Sequence, residues 1–542
     1  MDAQLSVPVP RNEPVRGYAP GSAERASLQA RVDAMRGDRF DLTMTIGGVR
    51  SMAGGPTIEV VEPHRRHHVL GVAGNATRAD AAAAVAAAKE AAPGWRALPY
   101  GERASVFLRA AELLAGGWRD TLNAATILGQ SKSVYQAEID AACELIDFLR
   151  FNAAFGQRIL GEQPESSKGI WNRFDHRPLE GFVYAITPFN FTAIAGNLPS
   201  APALMGNTVI WKPSPTQQLA AHFTMRLFEA AGLPPGVINL VTGDGLAVSD
   251  VVLADPDLAG IHFTGSTATF RHLWQEVGSH IDRYRSYPRV VGETGGKDFV
   301  FAHASADADA LHTALVRGAY EYQGQKCSAA SRAYVPRSIW DGGLRDRLAA
   351  TVAAIQYGDV TDLSTFGGAV IDGRAFAKLA AALDRIKNSA SCTVLAGGTA
   401  DDNEGWFVAP TLVECTDPTH EVFSTEYFGP ILAVHVYDDG DFETTLALAD
   451  SASPYALTGS IFATDRTVIE RAGAALRFTA GNFYINDKPT GAVVGQQPFG
   501  GARGSGTNDK AGSVLNLHRW VSPRTIKETF EPPTDWRYPH MG

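Results

Sequence analysis

Cys327 lies in the segment "YQGQKCSAASR" and is one of only four cysteines among 542 residues. Its neighbours include Gly324, Lys326 and Ser328. A thiol becomes a strong nucleophile when it loses its proton, whereas a cysteine without reactive neighbours is usually a small buried hydrophobic residue. The role of Cys327 therefore depends on which other reactive side chains the fold brings to it.

Three further segments place a polar residue just after a predicted strand. They are "AITPFNFT" with Asn190, "VIWKPS" with Lys212, and "VVGETGGKD" with Glu293. Taken singly, Asn190 could form a turn, Lys212 could be a solvated charge and Glu293 could cap a helix. In α/β proteins, ligands bind at the carboxyl ends of parallel strands. Together with Cys327, these residues predict one active site at such a sheet edge.

A phosphate site is predicted where a strand ending at Thr264 meets a helix in "HFTGSTATF". Gly265 and Ser266 open this helix, whose free N–H groups suit an anion. Ser266 could equally be an ordinary helix cap. The segment "VTGDGLAV" has Gly243 and Gly245 but a valine at the third glycine place, so the usual dinucleotide fingerprint is incomplete.

The elements that would position these residues differ along the chain. Residues 1–45 read as an irregular lead-in. The first helix is "TRADAAAAVAAAKEAA", with Thr77 and Asp80 expected to form a capping box and Pro93 expected to end the helix. Two more helices are predicted over residues 102–114 and 135–156.

After residue 181, short apolar runs alternate with helical windows, which is typical of α/β folds with parallel sheets. The first series of predicted strands is "GFVYAI", "NTVIWK", "VINLV" and "GIHFT". The second series is "DFVFA", "WFVAPTLV", "PILAVHVY", "LTGSIFA" and "NFYIND". The segment "SPRTIKETF" predicts a terminal strand that reaches beyond its domain, towards a neighbouring subunit.

Composition excludes several classes of function. The length indicates two or three domains, because single cores rarely exceed roughly 300 residues. Hydrophobic residues make up 45% and charged residues 20%, as in ordinary globular proteins. A net charge of −10 leaves no broad basic surface for nucleic acid. No apolar run is long enough to predict a membrane span.

The cysteines and histidines give no metal-binding pattern. The cysteines are far apart and form no CxxC pair: Cys143, Cys327, Cys392 and Cys415. The histidines of "PHRRHHVLG" are expected to face solvent: His64, His67 and His68. We assign no metal and expect a reducing compartment. Because the polar, proline-rich N-terminus resembles neither a secretory signal nor a good transit peptide, the sequence predicts a cytoplasmic protein.

The motifs resemble the aldehyde dehydrogenase superfamily from about residue 50 to about residue 530. "ITPFNFT", "WKPS", "FTGST", "GETGGKD", "GQKCS", "EYFGP" and "PFGG" occur in that family's order and approximate spacing. "GETGGKD", "QGQKCSAASR" and "GQQPFGGARGSGTNDKAG" resemble its branch that oxidises glutamate γ-semialdehyde, the Δ1-pyrroline-5-carboxylate dehydrogenases. The resemblance implies an α/β fold with two parallel-sheet Rossmann-type domains and a β oligomerisation flap.

The resemblance also implies a division of the chain. We expect an N-terminal extension over residues 1–45, an NAD-binding domain over residues 46–155 and 174–292, and a catalytic domain over residues 293–509. Residues 156–173 and 510–542 would form the oligomerisation flap and the C-terminal tail. These last segments would join subunits into a homodimer or a larger homo-oligomer. A separate proline dehydrogenase is a possible source of the substrate.

In the catalytic roles that the resemblance implies, Cys327 attacks the aldehyde carbon of a small-molecule substrate. The Asn190 amide and the Cys327 backbone N–H would hold the oxyanion. Glu293 would activate the water that hydrolyses the thioester. The sequence thus predicts a covalent oxidation in two half-reactions.

The implied cofactor is NAD. The residues expected to contact it are Thr187, Phe189, Lys212, Gly265, Ser266, Thr267, Glu426 and Phe428. Many NAD-preferring relatives have an acid three residues after the lysine, where this chain has Pro215. The preference for NAD over NADP therefore stays open at this point.

The implied substrate has an α-amino acid head and an aliphatic stem. The residues expected to bind it are Ser328, Gly491, Ala492, Phe191, Phe499 and Glu144. The Ser328 hydroxyl and the backbone N–H groups of Gly491 and Ala492 would hold the carboxylate. The two phenylalanines would enclose the stem, and Glu144 would face the ammonium group. Ser328 could instead be a helix hydroxyl, Gly491 a turn and Glu144 a surface charge.

Four other functions remain compatible with parts of the pattern. An aldehyde dehydrogenase of different substrate would share most of the motifs. A CoA-acylating relative would need no water-activating base, so Glu293 argues against it. An esterase would use Cys327 without redox chemistry. A non-catalytic protein of the same fold would have no need for Cys327, Glu293 and Asn190 together.

Overall fold

The computed structural model describes residues 6–542, and two seven-stranded sheets form its centre. In the N-terminal sheet, five parallel strands are followed by two antiparallel strands at one edge. Its strands run in the order Arg289–Glu293, Leu258–Thr264, Phe182–Thr187, Thr208–Pro213, Ile238–Leu240, Met44–Ile46 and Val49–Ser51.

The C-terminal sheet has six parallel strands and one antiparallel edge strand. Its order is Cys392–Ala396, Thr411–Cys415, Ile431–Tyr437, Ala330–Pro336, Asp298–Ala302, Thr458–Phe462 and Asn482–Ile485. The predicted α/β class with two parallel sheets is therefore confirmed. The sequence pattern missed Ala330–Pro336 and Cys392–Ala396, and it joined two strands in "WFVAPTLV" that the structure separates.

Residues 294–297 connect the two sheets directly. Glu293 ends an edge strand of the N-terminal sheet, and Asp298 begins an inner strand of the C-terminal sheet. Parallel strands are covered on both faces and so consist of nearly continuous apolar runs. Phe182–Thr187 and Asp298–Ala302 are buried in this way. The connection places the carboxyl edge of one sheet beside the amino edge of the other.

Helices and short strands complete the described chain. The α-helices are Ala23–Gly37, Arg78–Ala97, Tyr100–Ala115, Arg119–Gln130, Val134–Ala137, Leu145–Gly161, Thr192–Leu204, Gln218–Ala230, Leu246–Val252, Thr267–Ser279, Ala308–Tyr320, Arg337–Ile339, Arg345–Ala354, Gly373–Lys387, Phe442–Ser451, Arg466–Ala475 and Val514–His518. The short sheets contain Phe40–Leu42, Thr57–Glu62 and Arg65–Gly74, and the pairs Ala400–Asp401 with Phe407–Val408 and Tyr455–Ala456 with Ala502–Arg503. Among residues 6–542, no helix has the length and apolar character that a membrane span needs.

The N-terminal segment is not the irregular lead-in that the sequence predicts. It carries the helix Ala23–Gly37, which begins where Ser22 accepts a hydrogen bond from the Arg25 amide. Its buried residues are Leu28, Val32 and Met35. These three apolar side chains follow a helical period within a charged segment, so tertiary packing decides the structure here.

The alanine-rich helix begins as predicted but extends beyond Pro93. Thr77 and Asp80 form the expected capping box. The helix continues because Trp95 is buried and its indole N–H donates to the Ala203 carbonyl at 2.8 Å. Burial of this large ring offsets the hydrogen bond that Pro93 cannot donate.

The predicted helix over residues 135–156 contains a π-helical segment, Glu138–Glu144, before it continues to Gly161. Two buried acids in this segment have cationic partners. Glu138 pairs with Arg119, and Asp140 pairs with Lys132 at 2.7 Å. The helix that carries Arg119 has no strong sequence signal and was not predicted.

The C-terminal segment forms the predicted terminal strand. Val521–Thr529 pairs antiparallel with Ile170–Pro178 through nine residue pairs. We call this pair the C-terminal ribbon. Its first strand starts later than the predicted flap, because residues 156–161 complete the preceding helix.

Asn207 connects the base of the C-terminal ribbon to the N-terminal sheet. Its side-chain oxygen accepts from the Leu179 amide at 2.9 Å. Its side-chain nitrogen donates to the carbonyls of Pro202 at 2.8 Å and Trp520 at 2.9 Å. Asn207 is fully buried, so water cannot replace these bonds.

We expect Asn207→Ala to lower the free energy of unfolding by about 2 kcal/mol, because the Leu179 amide and the Trp520 carbonyl lose their partner, whereas the Pro202 carbonyl keeps its bond from the backbone amide of residue 207. The exposed Asn388→Ala is the matched control and should change it by less than about 0.5 kcal/mol. Thermal and denaturant unfolding of both variants measure the difference. Equal stability of the two variants would show that the three bonds do not hold the ribbon in place.

Candidate active site

The junction of the two sheets brings together the three residues expected to do chemistry. Asn190 follows the strand Phe182–Thr187, and Glu293 ends the strand Arg289–Glu293. Cys327 precedes the strand Ala330–Pro336 of the other sheet. The Asn190 amide donates to the Gln325 carbonyl at 3.0 Å, which links it to the segment that carries Cys327.

The Cys327 thiol lies in an enclosed and acidic environment. Burial raises the pKa of the thiol well above its ordinary value of 9.0, and the carboxylates of Asp298 and Glu293 raise the pKa further. The resting form is therefore the thiol, not the thiolate. Nucleophilic attack requires that a proton leave Cys327 as the bond to the substrate forms.

Glu293 is a buried carboxyl whose surroundings raise its basicity. Burial raises the pKa of its carboxyl well above 4.5. A hydrogen bond from the Gly501 amide at 3.1 Å and the charge of Lys510 act in the opposite direction. A carboxyl held in this way can take a proton from water near neutral pH.

Asp298 and Lys297 are buried at the same junction, and sequence reasoning did not single them out. Asp298 accepts a hydrogen bond from the Thr458 amide at 2.7 Å, and burial raises the pKa of its carboxyl. Burial lowers the pKa of Lys297 to about 7, and its ammonium lies 4.9 Å from the centre of the Tyr427 ring. Both residues belong to "GETGGKD", so their place at a strand start was the available signal.

Several predicted cofactor residues lie at the carboxyl ends of neighbouring strands of the N-terminal sheet, and we call this sheet edge the groove. Lys212 is buried, burial lowers its pKa to about 8, and its ammonium is 3.4 Å from the Gly243 carbonyl. Ser266 is exposed at the start of the helix Thr267–Ser279 and caps it. The Gly265 amide donates to the Glu293 carbonyl at 3.2 Å. Ser266 therefore caps the helix, and phosphate binding at the start of this helix stays a prediction.

Glu426 and the aromatic pair lie at the junction end of this groove. Glu426 accepts a hydrogen bond from the Gly296 amide at 2.8 Å. A side chain on Gly295 would lie 2.2 Å from the Glu426 carboxylate, so only glycine fits there. The Phe189 and Phe428 rings meet edge to face with centres 5.8 Å apart. The structure therefore groups these predicted residues.

Thr187 and Thr267 differ from the expected pattern. The Thr187 hydroxyl is buried and accepts from the Trp211 indole at 3.0 Å, so it supports the sheet and does not face the groove. The predicted cofactor contact of Thr187 therefore does not involve its hydroxyl and stays a prediction. The Thr267 hydroxyl lies 3.4 Å from both the Gly295 amide and the Gly504 carbonyl. It therefore remains at the junction.

The predicted carboxylate anchor is assembled behind Cys327. The Ser328 and Thr490 hydroxyls are 2.8 Å apart, and both residues are buried. Gly491 has a φ of +94°, a conformation that favours glycine, and Ala492 follows it. Phe499 pairs with Ala511 through two backbone hydrogen bonds near the same turn. Thr490 was missed, although it stands in the quoted "TGAV" turn.

Glu144 is not a surface charge. Burial raises the pKa of its carboxyl well above 4.5, and Asp140 raises it further while Lys132 lowers it. The Lys132 ammonium lies 4.0 Å from the centre of the Phe191 ring. The predicted residues Glu144 and Phe191 thus share a buried charged layer with Lys132 and Asp140. The contact with Phe191 has no local sequence signal, because Phe191 lies about 60 residues further along the chain than Lys132.

The expectation for His64 is wrong. His64 does not face solvent: one ring nitrogen lies 3.1 Å from the Ser131 hydroxyl and the other lies 3.3 Å from both Glu62 and Asp359. Asp359 lies nearly 300 residues further along the chain, so the sequence could not show this pairing.

A family model described as "Aldehyde dehydrogenase family" matches residues 50–526. The chain belongs to the aldehyde dehydrogenase family. A relative from Bos taurus named delta-1-pyrroline-5-carboxylate dehydrogenase is 48% identical over 98% of this chain and 94% of its own length. The crystal structure of the Mycobacterium tuberculosis enzyme of that name, bound with NAD, is 64% identical with a TM-score of 0.97 over 100% of both chains.

A further aldehyde dehydrogenase-like structure is proline utilization A from Bdellovibrio bacteriovorus. It is 29% identical with a TM-score of 0.90 and covers 96% of this chain but 53% of its own. The likeness is thus confined to about half of that longer protein.

The predicted cytoplasmic location is wrong by the same comparison. The aldehyde dehydrogenase relatives from Bos taurus, Mus musculus and Homo sapiens are all named as mitochondrial proteins. These names point to mitochondria rather than to the cytoplasm. The sequence pattern near the N-terminus did not indicate a mitochondrial location.

The raised pKa of Glu293 predicts a pH dependence of stability. A carboxyl whose pKa is raised in the folded state stabilises the fold while protonated, and this contribution is lost as the pH rises from 4.5 through the folded pKa. We expect Glu293→Gln to be more stable than wild type at pH 8 by on the order of 1 kcal/mol, and the difference to shrink at pH 5.

Unfolding of both proteins at the two pH values measures this difference. The exposed Glu90→Gln is the control and should show no such dependence. A variant at Glu293 that is no more stable than wild type at pH 8 would contradict the assigned burial of this carboxyl.

Proposed function

We propose that this chain oxidises L-glutamate γ-semialdehyde, formed from Δ1-pyrroline-5-carboxylate, to L-glutamate with NAD, the second step of proline catabolism. The observation that carries the proposal is the arrangement around Cys327. Asn190 and Glu293 approach Cys327 from the N-terminal sheet. On the side of the C-terminal sheet, the Ser328 hydroxyl contacts the turn that contains Gly491. A nucleophile, a base and a carboxylate anchor thus share one junction.

The first half-reaction forms the thioester. Cys327 releases its proton to solvent as its sulfur bonds to the aldehyde carbon, and the carbonyl π electrons move to the oxygen, which becomes an oxyanion. The second amide hydrogen of Asn190 and the Cys327 backbone N–H are placed to hold that oxyanion, a contribution typically worth about 10²- to 10³-fold in rate per donor. The hydride then leaves the same carbon, and NAD supplies the acceptor for it.

The residues of the groove fit such a dinucleotide. Lys212 is a buried cation with a single carbonyl contact at the limit of hydrogen bonding. Glu426 presents a carboxylate beside the Gly295 turn, and the helix at Ser266 offers free N–H groups. A cation and a carboxylate suit ribose hydroxyls, and a helix start suits a pyrophosphate. The Lys212 and Glu426 side chains and the backbone N–H groups at the helix start would supply these contacts.

The second half-reaction hydrolyses the thioester. Glu293 takes a proton from water, and the water oxygen attacks the thioester carbon. The Cys327 sulfur leaves as a thiolate and regains a proton. Glu293 accepts a proton only in its ionised form, and burial raises its pKa, so this step should speed up as the pH rises through the pKa of Glu293.

The substrate end explains the preference for an amino-acid aldehyde. Ser328 and Thr490 are buried hydroxyls that share one hydrogen bond, so each retains capacity for a carboxylate. Gly491 adds an unhindered backbone N–H, and Glu144 supplies a carboxyl for the ammonium group. A CoA-acylating enzyme would have no need for Glu293, and an esterase would have no need for the groove at Lys212.

We further propose that the C-terminal ribbon joins subunits into a homo-oligomer. An isolated two-stranded ribbon is marginally stable in water. Trp171 and Phe530 are large exposed side chains on or beside it, with 49% and 61% of their surface accessible. A separate proline dehydrogenase is the proposed source of the substrate, because the likeness to the Bdellovibrio protein covers only half of that chain.

Cys327→Ala should abolish NADH formation, by at least about 10³-fold, because no other group can form the thioester. NAD binding, measured by isothermal titration calorimetry, should be unchanged, because the thiol does not hold the dinucleotide. Cys143→Ala removes another buried thiol and is the control, which should retain turnover. Appreciable NADH formation by Cys327→Ala would remove Cys327 from its role.

Ser328→Ala should lower kcat/KM for glutamate γ-semialdehyde by roughly ten- to a hundredfold, because a charge-assisted hydrogen bond is lost. The same variant should oxidise propanal as the wild type does. Ser331→Ala, three residues along the same segment, is the matched control and should keep the wild-type preference. If the wild type used propanal as efficiently as the semialdehyde, the substrate assignment would fail while the dehydrogenase assignment would stand.

A further inference from the structure

Cys392, Cys415 and His420 form a cluster outside the active site. Cys392 begins the antiparallel edge strand of the C-terminal sheet and is the direct cross-strand partner of Cys415. His420 follows in the loop after Cys415. One ligand atom from each of the three residues lies within 4.8 Å of the others. The spacing in the sequence does not show this group, because two of its members come from different strands.

The cluster lies at the carboxyl end of a parallel strand, whereas the catalytic thiol lies at the amino end of another strand of the same sheet. Cys327 precedes the first residue of Ala330–Pro336, whereas Cys415 is the last residue of its own parallel strand. Through the strand Ile431–Tyr437, the register places Cys415 near the carboxyl end of Ala330–Pro336. The cluster therefore cannot share a ligand with the reaction at Cys327.

The sheet itself fixes the two sulfur atoms close together. The Thr416 amide donates to the Ser391 carbonyl at 2.9 Å, so the next pair, Cys392 and Cys415, occupies a non-hydrogen-bonded position. Facing side chains are closest at such positions in an antiparallel pair. The two Sγ atoms are 3.3 Å apart without a bond between them.

The distances are close to those of a tetrahedral zinc centre. Bonds of about 2.3 Å to sulfur and 2.0 Å to nitrogen imply roughly 3.8 Å between two sulfur ligands and roughly 3.5 Å between sulfur and nitrogen. The Cys392 sulfur lies 3.8 Å from His420 Nδ1. Shifts of a few tenths of an ångström would bring both pairs to these values.

We propose that Cys392, Cys415 and His420 bind one zinc ion, with water as the fourth ligand. Two thiolates and an imidazole are the ligand types that select zinc over the hard cations. On binding, each thiol releases its proton to solvent, so the two negative charges balance the ion. Nδ1 of His420 exchanges its hydrogen bond from the Val422 amide, at 3.2 Å, for the metal.

The half-buried position of Cys392 and His420 leaves an entry path for the ion. His420 also begins the short turn Glu421–Phe423, which leads to Glu426 in the groove. The ion therefore joins the edge strand to the loop that carries Glu426. This site is independent of the function proposed above.

Cobalt is the probe for this site, because it replaces zinc and reports its ligands by absorption. Reduced full-length protein titrated with cobalt chloride without oxygen should show thiolate-to-cobalt charge transfer and the visible bands of a tetrahedral ion, with one equivalent bound. Zinc chloride should displace these bands. Competition with a chromophoric chelator gives the zinc affinity.

Cys392→Ser and Cys415→Ser should abolish the charge-transfer band and weaken zinc binding at least a hundredfold. His420→Asn should weaken zinc binding about tenfold or more while part of the charge transfer remains. Cys327→Ser and Cys143→Ala are the controls for the other thiols and should bind as the wild type does. Circular dichroism of every variant checks that it is folded.

Wild-type protein that gives no charge-transfer band would overturn the proposal, and so would a band that survives in Cys392→Ser. Reduced protein that forms only a Cys392–Cys415 disulfide in air, with no cobalt absorption beforehand, would identify a simple thiol pair and would also overturn it. The absence of a charge-transfer band in the wild-type protein is decisive by itself, so the test of zinc binding does not depend on every variant folding.

Discussion

The active site depends on the four residues 294–297, because they join the end of one parallel sheet to the beginning of the other. Glu293 is fixed by the first sheet and Asp298 by the second. Between them, Gly295 leaves room for the Glu426 carboxylate and Gly296 donates to it. This short connection therefore sets how far Glu293 lies from the sheet that carries Cys327 and from the cofactor groove. Any lengthening of it would separate groups that must act together.

Exclusion of water from this junction sets the chemistry. Burial raises the pKa of Cys327 and Glu293 and lowers that of Lys212. Burial therefore shifts all three groups towards their neutral forms relative to water. Electrostatic stabilisation of a developing charge is stronger in such an environment. The cost is a less stable fold, which is a common feature of active sites.

Local patterns were enough to predict the strands that precede Asn190, contain Lys212 and end at Glu293, because each motif combines an apolar run with a turn. The roles of Cys327 and Glu293 came from resemblance, not from spacing. Contacts between distant segments could not be predicted: they include Lys132 with Phe191 and His64 with Asp359. The Ala23–Gly37 helix and the extension beyond Pro93 were missed because packing decides them.

The most direct test of the account is rapid mixing of Glu293→Ala with NAD and glutamate γ-semialdehyde. If Cys327 forms a thioester that Glu293 helps to hydrolyse, one equivalent of NADH per active site should appear in a burst. Steady turnover should then be slower than that of the wild type by about 10²- to 10⁴-fold. Steady turnover as fast as the wild type, without a burst, would contradict the central claim.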